Sequence, residues 1–211
     1  MTELRFERLH GAEIKSQLGA IADLRMQVFR DWPYLYEGDL ETERDYLQIY
    51  LDSERSFALL AFDGDELVGM ATAMPLRDED PRIQQPFHDA DFDAATIFYF
   101  PEAILLPGYR GRGLYRRFFH EREAHARSFT GYEWAALCTV ERPADHPARP
   151  ASYQPLDPIW ERFGFDHRPD LKTSFDWLDV GDQQETTKPL VFWLKPFTRQ
   201  PVTLESTEVS S

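Results

Sequence analysis

Apolar positions return along the chain in two different periods. LRFERLHG at 4–11 alternates and predicts a first strand, after which Ile14, Leu18, Ile21, Leu24 and Val28 recur at helical spacing and predict one amphipathic helix over 12–31, ended by Pro33. LETERDYLQIYLDSE offers a second helix with Tyr46, Leu47, Tyr50 and Leu51 on one side, capped by Asp39, with Glu41 and Glu43 near its positive end. Two apolar runs over 56–76 hinge at Asp63-Gly64-Asp65, which is hairpin chemistry. Residues 77–93 are polar and broken by proline, with room for one short helix. AATIFYFPEAILL at 94–106 has the β-branched and aromatic content of a long strand, bent or bulged at Pro101.

From Gly113 to Gly131 the residues Tyr115, Phe118, Phe119, Ala126 and Phe129 fall on one helical face. YEWAALCTVERP then reads as a buried strand, a proline-rich loop leads to a short helix over 156–163 closed by Gly164, and two strands finish the pattern at LKTSFDWLDV and KPLVFWLKPF. The order β-α-α-β-β-β-α-β-α-β-β predicts a mixed α/β fold, one sheet with helices on both faces. Residues 1–197 are expected to form a single domain, followed by a polar tail at 198–211 expected to be disordered.

Charge narrows the functions. The chain carries 23 Lys and Arg against 37 Asp and Glu, a formal −14, which repels nucleic acid and anionic membranes in bulk. No stretch approaches the roughly 18 continuous apolar residues of a membrane span, and the first residues lack a signal-like apolar core, so the expected location is the cytoplasm. The single cysteine, Cys138, reads as a small buried side chain. His120, His125, His146 and His167 show no metal-binding spacing, and no metal is expected.

Against this acidic background, residues 108–127 hold six arginines and two glutamates, a local +4. The stretch LLPGYRGRGLYRRFF leads from an apolar strand through glycines into a helix, an arrangement that presents free N–H groups and a positive dipole end to an anion. It is not a P-loop, because Gly113 is followed by Leu114, Tyr115 and Arg116, and it lacks the Rossmann fingerprint.

LLPGYRGRGL resembles the acyl-coenzyme A (CoA) signature of the GNAT superfamily of N-acetyltransferases, Arg/Gln-x-x-Gly-x-Gly/Ala, with Arg110 and Gly113 at its first two fixed places. WERFGF at 160–165 is similar to the family's late aromatic-Glu-x-x-Gly-Phe stretch, and the element order agrees over 3–197. The resemblance implies a mostly antiparallel sheet splayed between its fourth and fifth strands, with acetyl-CoA wedged in the gap. Backbone N–H groups of Arg110, Gly111, Arg112, Gly113, Leu114 and Tyr115 would hold the pyrophosphate, and the backbone of Ala103, Ile104 and Leu105 would pair with pantetheine. Tyr115 departs from the family's Gly or Ala; it either crowds the pyrophosphate, rotates outward to pack, or supplies a hydroxyl.

Direct transfer needs a neutral amine and a proton acceptor. Glu102, just before the pantetheine segment, is the candidate base, and apolar surroundings would raise its pKa usefully. The family often uses a late-helix tyrosine as acid, but Trp160 occupies the comparable place, which leaves Tyr153 or unassisted departure of the thiolate. The acceptor loop DWPYLYEGD offers Trp32, Tyr34, Tyr36 and Glu37, with Asp31 and Asp39, a chemistry suited to a cationic amine. The implied function is acetyl transfer to a primary amine of a small molecule or peptide in a ternary complex. The alternative is a catalytically silent CoA-binding sensor or interaction domain of the same fold, and homodimer formation stays open.

Overall fold

The computed structural model describes residues 3–197; the tail expected at 198–211 lies outside them. Eight strands are β1 Arg5–His10, β2 Phe57–Asp63, β3 Glu66–Pro75, β4 Ile97–Tyr99, β5 Ala103–Leu105, β6 Trp134–Val140, β7 Asp166–Trp177 and β8 Thr186–Pro196. Five α-helices are α1 Leu18–Phe29, α2 Leu40–Asp52, α3 Pro81–Asp89, α4 Leu114–Arg127 and α5 Asp157–Arg162. The sheet order is β1-β2-β3-β4-β6-β8-β7, with β5 paired to β3. Every pairing is antiparallel except β4 with β6.

The helix expected over 12–31 divides in two. Residues Gly11–Gln17 form a 3-10 turn, Glu13 accepting from the His10 N–H at 3.0 Å, and only from Leu18 does the chain become α-helical. Asp39 caps α2 as expected, accepting from the N–H groups of Glu41 and Thr42. The β2–β3 hairpin turns at Gly64, whose φ is 62°.

The pleat assigns helices to faces. Tyr99 and Cys138 pack with Ile83 and Phe87 of α3, whereas Phe98 packs on His125 of α4. The Tyr50 hydroxyl of α2 lies 3.2 Å from Thr72 Oγ1, which shares a side of β3 with Met74, the partner of Tyr99. So α2 joins α3 on one face. On the other, Phe119 of α4 stacks on Phe163 and meets Phe165, just beyond α5.

The long strand expected over 94–106 is two short ones. Met74 faces Tyr99 and Ala71 faces Ala103, so four steps along this segment match three along β3, which makes a bulge of one residue around Pro101. Proline has no N–H to give to a ladder. Past the bulge the partners diverge: Phe100 N–H still donates to Ala136 at 2.8 Å, but β5 pairs with β3 alone. Among the described residues no backbone hydrogen bond joins β5 to β6. The sheet therefore opens between them, leaving two facing strand edges with free backbone groups.

Candidate active site

The glycine loop leaves β5 at the mouth of this opening. Pro107–Tyr109 make a 3-10 turn, and Gly111 and Gly113 then adopt φ of 74° and 79°, conformations costly to any residue with a Cβ. Gly113 is the N-cap of α4 and no side chain caps that helix, so its first N–H groups stay available to an anion. Arg110 donates through Nε to the Leu105 carbonyl at 3.2 Å. Arg112 instead covers the Tyr109 ring, 4.9 Å from its centroid. Further along α4 the basic side chains pair outward, Arg117 with Glu121 and Arg127 with Glu123.

A cavity of about 1130 Å³ runs from this loop through the opening to the segment between α1 and α2. Its wall includes Glu102, Ala103, Ile104, Leu105, Arg110, Gly111, Gly113, Leu114 and Tyr115, together with Trp32, Tyr34 and Tyr153. Of the residues expected at the site, Arg112, Tyr36 and Glu37 lie outside that wall. Glu37 pairs with Arg30 at the surface, Tyr36 is drawn to Glu43, and Asp39 is occupied as the cap of α2.

Glu102 is 6 % exposed, but its surroundings are not the apolar ones expected. Arg25, from the core face of α1, forms an ion pair with Glu102 and donates through Nε to Glu43 Oε2. The apolar surroundings expected around this carboxylate are thus replaced by an ion pair. Glu102 Oε2 has no hydrogen-bond partner.

A further buried carboxyl, Glu79, feels the same guanidinium, yet burial outweighs it and pushes its pKa from 4.5 to about 7. The folded state keeps a proton that the unfolded chain releases at lower pH, so this group makes stability fall as pH rises through that window. Glu79→Gln is expected to raise the stability at about pH 8 by about 3 kcal/mol while changing little near pH 4.5. Equal gains at both pH values in urea titrations would refute this.

Tyr115 does not crowd the glycine loop by standing free in it. Its hydroxyl accepts a hydrogen bond from Trp160 Nε1 at 3.1 Å, its ring meets Phe119 edge-on, and Trp160 in turn packs on Trp193. The two residues that depart from the family pattern are therefore one unit. Burial pushes the Tyr115 and Tyr153 hydroxyls up. Tyr153 meets Trp32 edge-on at 5.8 Å, bringing the loop after β6 to the loop after α1. Burial pushes the Cys138 thiol up to about 12, and Sγ lies 2.8 Å from the Tyr99 hydroxyl, so it is a packed thiol and a poor nucleophile.

The α1–α2 segment is held by a clasp. Arg142 donates to the Pro33 and Tyr34 carbonyls and, bidentately, to Asp179 at 2.6 and 2.8 Å; Lys188 lies 3.3 Å from the same carboxylate. Two backbone bonds add to it, Glu37 N–H to Leu178 O and Val180 N–H to Leu35 O. Burial opposes charge on Asp179, but Arg142 and Lys188 prevail and hold its carboxyl below the usual range.

Sequence reasoning passed over Arg25, Arg122 and Arg142. A signal existed for the first two: Arg25 follows Ile21 by four positions and Arg122 lies midway between Phe118 and Ala126, so each interrupts an apolar helical face. Among the described residues no group of three or more His, Cys, Asp and Glu side chains could hold a metal ion, and no helix is long and apolar enough to cross a membrane.

No curated protein matches the chain in sequence. Solved structures match it in fold. NAA60 of Arabidopsis thaliana in complex with a bisubstrate analogue aligns with a TM-score of 0.59 at 14% identity, over 94% of this chain and 100% of that one. NAA60 in complex with acetyl-CoA aligns at 0.58 and 15%, over 93% and 100%. The PaiA N-acetyltransferase of Thermoplasma acidophilum in complex with coenzyme A aligns at 0.52 and 11%, over 93% and 100%. The model of the Acetyltransferase (GNAT) family matches residues 21–152, which hold the glycine loop, the opened sheet and the segment between α1 and α2, and the chain belongs to that family.

Proposed function

We propose that the protein transfers an acetyl group from acetyl-CoA to a primary amine of a small molecule or peptide, by direct attack within a ternary complex. The observation that carries this reading is the continuity of one cavity from the uncapped start of α4, through the unpaired edges of β5 and β6, to Trp32 and Tyr34. Pyrophosphate would meet the N–H groups of residues 110–115, and pantetheine would pair with the free edge of Ala103, Ile104 and Leu105. The NAA60 structures, one in complex with a bisubstrate analogue and one with acetyl-CoA, support acetyl-CoA as the donor for a chain of this fold. Glu102 Oε2, unpartnered in the cavity wall, is the atom placed to accept the amine proton, directly or through water. Asp31, Trp32 and Tyr34 are the acceptor-side groups suited to a cation. Tyr153 is the candidate acid for the departing thiolate.

Thiol release from acetyl-CoA, measured over polyamines, amino acids, aminoglycosides and peptide amino termini, tests the reading. Turnover with any of them supports it; binding of acetyl-CoA without turnover on the whole panel favours the CoA sensor, for which the occupation of Glu102 Oε1 by Arg25 is the specific argument. The cofactor loop has its own test. Gly113→Trp puts a Cβ at φ 79° and a large ring at the pyrophosphate position, so acetyl-CoA binding in calorimetry is expected to weaken at least about 100-fold, a cost of about 3 kcal/mol from added loop strain and lost anion contacts. Unchanged affinity would place the pyrophosphate elsewhere.

A further inference from the structure

Arg122 stands apart from every other arginine of α4. It is 1 % exposed, and among the described residues no carboxylate pairs with it. Its Nε donates to the Phe118 carbonyl at 3.3 Å and its Nη1 to the Glu102 carbonyl at 3.2 Å. The rings of Phe100 and Phe119 lie 4.7 and 4.6 Å from its guanidinium carbon. Nη2 has no hydrogen-bond partner, although the residue forms part of the cavity wall.

Packing alone does not account for this residue. Burying a guanidinium without a counter-ion costs several kcal/mol, and an apolar side chain of similar volume would fill the space without that cost. The two aromatic faces and two carbonyls offset part of it. What they leave is a positive charge, shielded from water, with a donor unspent. Its place is informative. The carbonyl that anchors Nη1 belongs to the bulge where the sheet opens, and the side chain of that same residue is the proposed proton acceptor. The scissile thioester would sit between the two.

We propose that Arg122 is the electrophilic residue of the donor site, its Nη2–H receiving the thioester carbonyl oxygen and stabilising the charge that develops there as the amine adds. The assignment rests on the acyl-CoA reading above. The amine lone pair forms the C–N bond while the carbonyl π pair moves to oxygen, facing Arg122. Return of that pair breaks the C–S bond, and the surplus amine proton and the proton needed by the sulfur balance, giving amide and free thiol with no further reactant. Burial pushes the Arg122 pKa down to about 10, the mark of a guanidinium held away from the water that would otherwise occupy its donors. A fixed donor in a water-poor site is where such stabilisation is largest.

The test uses the full-length protein, with Arg122→Met and Arg122→Lys as variants. Infrared difference spectra of carbonyl-labelled acetyl-CoA are expected to show a lowered thioester stretch on binding to the parent, reverting towards the free value in Arg122→Met. With the best amine of the panel, kcat is expected to fall about 100-fold in Arg122→Met with the acetyl-CoA dissociation constant unchanged, as for loss of one oxyanion donor. Arg122→Lys, which keeps the charge, is expected to retain an intermediate stretch and rate. A structural role alone would move neither the stretch nor kcat at constant affinity. The same stretch in parent and Arg122→Met overturns the proposal. So does equal weakening of acetyl-CoA and free CoA binding at unchanged kcat, which would assign Nη2 to pantetheine. Should Arg122→Met not fold, a parent-like stretch and rate in Arg122→Gln serve as the overturning result. Absence of acetyl-CoA binding by the parent would overturn the acyl-CoA reading itself, whatever the variants do.

Discussion

Replacing Arg25 with methionine is expected to lower the unfolding free energy by about 3–5 kcal/mol, the usual cost of removing one partner from a buried ion pair. Arg25 is 8 % exposed and serves two carboxylates at once, Glu43 at 1 % and Glu102 at 6 %. Methionine fills most of the volume and keeps the helical propensity of α1, so the loss reads out charge and not packing. Two acids would be left without a counter-ion in surroundings that already hold Glu79 near neutrality. The loss should therefore not be additive. Adding Glu43→Gln and Glu102→Gln to Arg25→Met removes the stranded charges and is expected to recover most of the stability. Urea unfolding of the parent, the single variant and the triple variant measures all three. A single variant within about 1 kcal/mol of the parent would mean that the triad is solvated or that its acids are already protonated.

The second large effect concerns rate. Glu102→Gln is expected to reduce kcat by about 10²–10⁴-fold, the range for loss of a positioned proton acceptor. Acetyl-CoA affinity should hold, because the contacts expected on this segment are made by the backbone of Ala103, Ile104 and Leu105. The amide keeps a hydrogen-bond acceptor towards Arg25 but cannot take a proton. Thiol release at saturating acetyl-CoA, beside calorimetry, separates the two quantities. Parent-like kcat would remove Glu102 from the proton path and leave water to carry it.

Most of the fold was legible in the chain because its signals are local. The continuous apolar runs of β2 and β3 bracket an Asp-Gly turn, Asp39 announces α2, and the apolar face of α4 begins directly after Gly113. Residues 94–106 misled for a physical reason: their composition suits one strand, but where a strand changes partner depends on the neighbours it meets. Only Pro101 hinted at it. The glycine loop was likewise legible, since positive φ and an uncapped helix start demand particular residues. Contacts across the chain were not. Tyr115 and Trp160 are 45 positions apart, and nothing in either neighbourhood says that one hydroxyl accepts the other's indole N–H. The acceptor loop was half legible: Trp32 and Tyr34 reach the cavity wall, while Tyr36, Glu37 and Asp39 are committed to Glu43, Arg30 and the α2 cap.

The Arg142–Asp179–Lys188 clasp bears on how an amine would be chosen. With the loop after α1 already fastened to the β7–β8 turn, its shape exists before anything arrives, so the ordering entropy that a mobile loop would charge against each encounter has been met at folding. On the transfer reading proposed above, such a mouth would select by refusal. An amine of the wrong outline gains nothing by pressing on it, and the range of accepted amines should be narrow and set by fit.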